Sequence, residues 1–84
     1  MSKRSKLYNK ILTGVTNNVR FDDFINLALA FGFVLARVRG SHHILKHPRI
    51  PEVRLNFQSE NGQAKPYQIE QFLQIIKEYG LQLM

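Results

Sequence analysis

The sequence predicts an α+β fold: a three-stranded antiparallel meander with helices packed on one face. Three observations carry this. Phe24, Leu27, Ala28 and Phe31, and again Ile69, Phe72, Leu73 and Ile76, recur at i, i+3, i+4 and i+7, which is one apolar stripe on each of two helices. Val53, Leu55 and Phe57 alternate with Arg54 and Asn56, the period of a strand with one packed face and one wet face. Between these patterns, residues 33–47 are rich in branched and aromatic side chains and are punctuated by Gly40-Ser41, which reads as a hairpin. Two helices flanking three strands bury their stripes most economically against one side of the sheet.

Taken in order, residues 1–4 read as a polar, basic, frayed start. Ser5 is placed to cap a short helix from Lys6 to Thr13, with Leu7, Tyr8 and Ile11 on one face and Gly14 as its stop. Thr16-Asn17-Asn18 reads as a loop. Asp22 and Asp23 suit the start of the next helix, where free backbone N–H groups and the helix dipole favour carboxylates. Gly32 ends it. Ile25, Leu29 and Ala30 make this helix apolar almost all round, so cover on more than one side is expected. Phe33 to Arg39 and His42 to His47 are the hairpin strands, Pro48 and Pro51 bracket a loop, and Ser59 to Gly62 is a turn. Pro66 suits the first turn of the last helix. Gly80 stops that helix, and Leu81 folds back toward Ile76.

Eighty-four residues make one domain. The absence of cysteine excludes disulfides, thiolate metal sites and a cysteine nucleophile. No apolar run approaches the roughly 18 residues of a spanning helix, and the basic N-terminus lacks the apolar core of a secretory signal. A cytoplasmic protein with no membrane contact is expected. Twelve Lys and Arg against six Asp and Glu leave a formal charge of +6, which draws polyanions to so small a body. From Arg37 to Arg54 there are five cations and a single acid, Glu52. Another basic cluster, Lys3, Arg4, Lys6 and Lys10, reads as a solvated face or a nonspecific phosphate contact.

The stretch Arg37 to Pro48 holds all three histidines beside Arg37, Arg39 and Lys46. Side chains alternate along a strand. His42, Ile44 and Lys46 therefore share one face, and Ser41, His43 and Leu45 the other. β-Branched Ile44 is the expected core contact, with His43 exposed or half-exposed beside Arg or Lys. Imidazole titrates near neutrality and can take or give the protons that RNA strand scission moves; alternatively it only bonds phosphate. A shared metal site is disfavoured. His42 and His43 point to opposite faces, and His43 lies about 13 Å from His47 at ~3.3 Å per residue. No cofactor is implied. His42 reads as structural or phosphate-contacting, and His47 as closing the strand. Ser41 either bonds the turn backbone or orients a phosphate. Arg37, Arg39, Lys46 and Arg54 form a basic patch suited to RNA phosphates. Lys65 sits at a helix start, where a cation is unfavourable to the dipole, and this suggests an RNA-facing or partner-facing role, although a surface position alone also accounts for it.

These residues resemble a known family. Phe31-Gly32-Phe33, Arg37, Gly40-Ser41-His42-His43 and Lys46-His47-Pro48, then Lys65-Pro66 with Ile69, Phe72, Leu73, Ile76 and Gly80-Leu81, resemble the HicA toxins of bacterial toxin–antitoxin systems over roughly residues 19–81. The resemblance implies an α-β-β-β-α fold like that of double-stranded-RNA-binding domains. It implies a small, metal-independent endoribonuclease that cleaves mRNA and halts translation, and an antitoxin partner, HicB, that covers the active site. The family's catalytic histidine falls on His43, and its glycine and serine on Gly40 and Ser41. Residues 1–18 are then a basic helical extension to a 19–81 core. Two departures stand out: that extension, and Leu55-Asn-Phe-Gln58 where the family often has Val-Pro-x-His on the third strand. A non-catalytic RNA-binding module of the same shape is the alternative.

Overall fold

The chain's structure is a computed structural model that describes residues 3–84. Its elements are α1 (Lys3–Leu12), α2 (Phe21–Ala30), β1 (Val34–Arg39), β2 (His42–His47), β3 (Ile50–Glu60), β4 (Gln63–Ala64) and α3 (Pro66–Tyr79). The sheet is antiparallel and ordered β1-β2-β3-β4. The fold is α+β, with the α-β-β-β-α order of double-stranded-RNA-binding domains from α2 onward.

The fourth strand is the departure from the expected meander. Asn61 and Gly62 both take positive φ, 53° and 79°, the pair of left-handed residues that a two-residue hairpin turn needs. The turn lays Gln63 beside Glu60 and Ala64 beside Ser59. β4 in turn holds the chain entering α2: Ala64 N–H donates to the Val19 carbonyl at 2.8 Å, and Phe21 N–H to that of Gly62 at 2.9 Å. The start of α2 is thus fastened to the sheet. β3 also begins at Ile50, taking in Pro51, which was expected in a loop.

All the helices contribute to a core on one side of the sheet. Phe24 packs on Phe57 at 4.6 Å and edge-on to Phe72 at 5.4 Å between ring centroids. Val53, Leu55 and Phe57 from β3 and Leu45 from β2 face Leu27, Phe31, Ile69 and Ile76 in a single buried cluster. Burying each such side chain contributes about 1.5–3 kcal/mol. α1 belongs to the same cluster. Ile11 is buried, and Tyr8 packs edge-on against Phe31 at 5.0 Å. Lys3 pairs with Asp23 of the α2 first turn at 3.0 Å, so this cation is not simply solvated. α1 starts ahead of Ser5, which therefore lies inside the helix and does not cap it from outside. The expected frayed start covers Met1 and Ser2, which lie outside the described residues, while Lys3 and Arg4 are helical. α3 ends at Gly80, and Leu81 N–H returns to the Ile76 carbonyl at 3.0 Å. Among the described residues, no helix is long and apolar enough to cross a membrane.

The expected core contact of β2 is overturned. Leu45 is fully buried, whereas Ile44 is only half-buried. The helices supply the deciding contact, because they cover the side onto which Leu55 and Phe57 project. Leu45 pairs with Leu55, and directly opposed residues share a face.

Candidate active site

The register sorts the hairpin's chemistry between the two faces. On the outer face, Arg39, His42 and Gln58 form one row across three strands, and Arg37, Ile44 and Asn56 form the next. Lys46 and Arg54 pair in a third. Arg37, Arg39, Lys46 and Arg54 are all exposed. The four expected patch cations therefore share one open surface, with only polar and apolar neighbours in those rows. His42 belongs to this face and is exposed, with Nδ1 3.2 Å from Asn56 Oδ1.

His43 lies on the other face. It pairs with Val38 on β1 and Phe57 on β3. It is half-buried, and its ring stands edge-on to Phe21, the first residue of α2, at 4.8 Å. The close exit of the hairpin from Gly40-Ser41 puts this ring at the turn end of the sheet. His43 Nδ1 is buried with no hydrogen-bond partner. An unpartnered buried polar atom is costly, about 1–3 kcal/mol, and calls for an explanation. Among the described residues, Nδ1 is the only buried side-chain nitrogen or oxygen left without a partner.

His47 is spent on structure. It is buried and packs edge-on to Phe33 at 5.0 Å. Nε2 donates to the Phe31 carbonyl at 3.2 Å, and Nδ1 accepts the Arg49 N–H at 3.2 Å. One neutral tautomer satisfies both bonds. Gly32 makes room for this ring: a Cβ there would sit 2.9 Å from His47 Nε2, and its φ is +96°. The histidine that closes the strand thus also ties it to the end of α2. Among the described residues, no three His, Asp or Glu side chains cluster as metal ligands.

Two glutamines carry parts of the site that the sequence reading missed. Gln58 Nε2 donates to Ser41 Oγ at 3.3 Å, and Lys65 Nζ donates to Gln58 Oε1 at 3.0 Å. Ser41, Gln58 and Lys65 thus form one bonded chain from the β1–β2 turn to the start of α3. Ser41 also holds the turn, its carbonyl accepting the Ser59 N–H at 3.2 Å. Buried Gln68 accepts the Gln58 backbone N–H at 2.9 Å and donates to the Asn56 carbonyl at 3.5 Å. Its amide replaces a neighbouring strand along this stretch of β3. The alternation along β3 marks Gln58 as outward-facing, but nothing in a helical stripe singles out Gln68.

A family model described as the HicA toxin of bacterial toxin–antitoxin matches residues 21–81. No curated protein and no solved structure matches the chain.

Proposed function

The chain belongs to the HicA toxin family of bacterial toxin–antitoxin systems, and from that premise we propose that it is an endoribonuclease that cleaves mRNA and so halts translation. The observation that carries the proposal is His43. Its ring is braced by Phe21, and Nδ1 is turned inward without a partner. That leaves Nε2 as general acid and base.

The chemistry needs no other proton carrier. Nε2 takes the proton of a ribose 2′-hydroxyl, and that oxygen attacks the adjacent phosphorus. The bond from phosphorus to the 5′-oxygen breaks, and the imidazolium returns its proton to the leaving oxygen. The products are a 2′,3′-cyclic phosphate and a 5′-hydroxyl, and the histidine ends as it began. Arg37, Arg39, Lys46 and Arg54 hold the RNA backbone on the outer face, through contacts that position the strand without reading bases. Gly40 and Ser41 form the turn over which the strand passes toward His43. His42 contributes a phosphate contact.

In this reading a HicB-like antitoxin covers His43, and the pair acts in the cytoplasm. Residues 1–84 act as one domain, residues 1–18 being a basic extension whose helix α1 lends Ile11 to the core. The test is cleavage of RNA by purified protein in chelator, beside His43→Ala. Wild type should cut and the variant should not, and only wild type should arrest growth on induction. Full activity in His43→Ala would remove the histidine mechanism.

One observation favours a second reading. A catalytic imidazole is usually oriented by a bond at its other nitrogen, and His43 Nδ1 has none. A non-catalytic RNA-binding module would show binding that weakens steeply with salt and no cleavage at any pH.

A further inference from the structure

Resting on that reading, we infer that Ser41, Gln58 and Lys65 form one phosphodiester subsite, in which Gln58 is the positioning residue. Lys65 is the cation that meets the phosphate undergoing cleavage.

An ammonium can only donate, so the Gln58 atom facing Lys65 Nζ at 3.0 Å is the carbonyl oxygen Oε1. That fixes the amide's orientation. Nε2 must then be the donor to Ser41 Oγ at 3.3 Å. Each end of the amide is matched to its partner. The donors the unit has left are the Ser41 hydroxyl proton, the second N–H of the Gln58 amide and the two remaining N–H groups of Lys65. A group of free donors carrying one positive charge suits an anion with several acceptor oxygens, which describes a phosphodiester.

The unit is also held in place. The Gln58 backbone is fixed from behind by Gln68 at 2.9 Å, and the Ser41 carbonyl accepts the Ser59 N–H at 3.2 Å. Lys65 is half-buried, and its Nζ lies 6.0 Å from the centre of the Tyr67 ring. A long side chain thus restrained loses less freedom on binding than a free surface lysine. By contrast, no hydrogen bond, ion pair or ring contact restrains the outer-face side chains of Lys46 and Arg54 among the described residues. The two sets divide the labour. Lys46 and Arg54 hold RNA equally in ground and transition states, which affects KM. Lys65, linked through Gln58 to the turn that leads to His43, meets charge that grows on the phosphoryl oxygens, which affects kcat. Lysine at a helix start, unfavourable to the dipole, is then retained for its reach to Gln58.

The test is steady-state cleavage of a short RNA by full-length wild type, Gln58→Leu, Gln58→Glu, Lys65→Met and the double variant Gln58→Leu/Lys65→Met. Thermal midpoints report on folding. Lys65→Met should lower kcat roughly 10²-fold with little change in KM. Gln58→Leu should lower it about tenfold, by letting Lys65 drift. Gln58→Glu should fall as far as Lys65→Met while folding normally, because its carboxylate neutralises the ammonium and cannot donate to Ser41. The double variant should be no worse than Lys65→Met, because Gln58 acts through Lys65. Gln58→Leu within about twofold of wild type, or losses that multiply in the double variant, would overturn the inference. If wild type cuts and His43→Ala does not, that failure concerns the subsite alone. If wild type cuts nothing, the ribonuclease reading falls and the subsite with it.

Discussion

Replacing Leu45 and Ile44 by alanine, one at a time, tests which face of β2 is packed and hence where His43 points. Leu45 is 0% exposed. Leucine to alanine removes three carbons, about 0.8 kcal/mol each, or about 2.4 kcal/mol in transfer alone. The closed cavity left behind raises this to about 3–4 kcal/mol. Ile44 is half-buried on the outer face. The space it vacates opens to water, so only about half the transfer cost is lost, or about 1 kcal/mol. The gap of about 2 kcal/mol is roughly a 30-fold difference in the folding equilibrium. Urea denaturation reads it directly, as midpoints shifted at constant m-value. In a chain of this length each kcal/mol moves Tm by about 4–8 °C, so heating separates the variants too. Equal losses, or a larger loss for Ile44→Ala, would refute the reasoning. A one-residue slip in register exchanges the faces of every side chain, and His43 would then stand among Arg37 and Arg39.

Gly32→Ala should destabilise the fold by about 2–4 kcal/mol, from strain at φ +96° and from displacement of His47 from its bond to Phe31; a loss in urea below about 0.5 kcal/mol would count against the close packing of that ring. Lys46→Glu and Arg54→Glu should each weaken RNA binding and reduce the slope of log affinity on log salt by about 0.7 per lost contact to single-stranded RNA, and an unchanged slope would take these residues off the RNA path. His43→Leu should abolish cleavage yet leave stability unchanged or raised by about 1–2 kcal/mol, because it removes a buried nitrogen that has no partner. A fall in stability of more than about 1 kcal/mol would mean that the nitrogen is satisfied after all.

The fold was legible wherever periodicity was strong. The stripes of α2 and α3 and the alternation of Val53, Leu55 and Phe57 all face the core. The hairpin's facing was not legible, because each face of β2 carries one aliphatic residue. β-Branching favoured Ile44, but what decides is the surface a strand meets, and here that is Leu55 and the helices. β4 was legible in principle. Asn61-Gly62 is the strongest short hairpin signal, and only the brevity of Gln63–Ala64 hid it. Of the candidate site, the shared face of Arg37, Arg39, Lys46 and Arg54 follows from alternation once β-strand register is known. The bridge from Ser41 to Lys65 depends on residues far apart in the chain, and no local pattern encodes it.

On the proposed reading, a side chain on the packed face must reach a substrate, and the surroundings of His43 allow it. Across its row of the sheet the cover changes steeply: Phe57 on β3 is 0% exposed, and Val38 on β1 is 52% exposed. The helices stop short of β1, whose six residues are all exposed, so His43 stands at the margin of the helical layer. Phe21 packs edge-on against the ring, while the β1 neighbour Val38 is exposed. Catalysis by a single imidazole needs both conditions, a fixed ring and an unobstructed nitrogen. Two residues along on the same face, Leu45 is sealed, and two residues back, Ser41 lies on the turn. Position 43 is the one place on this face of β2 where the core ends beside the hairpin.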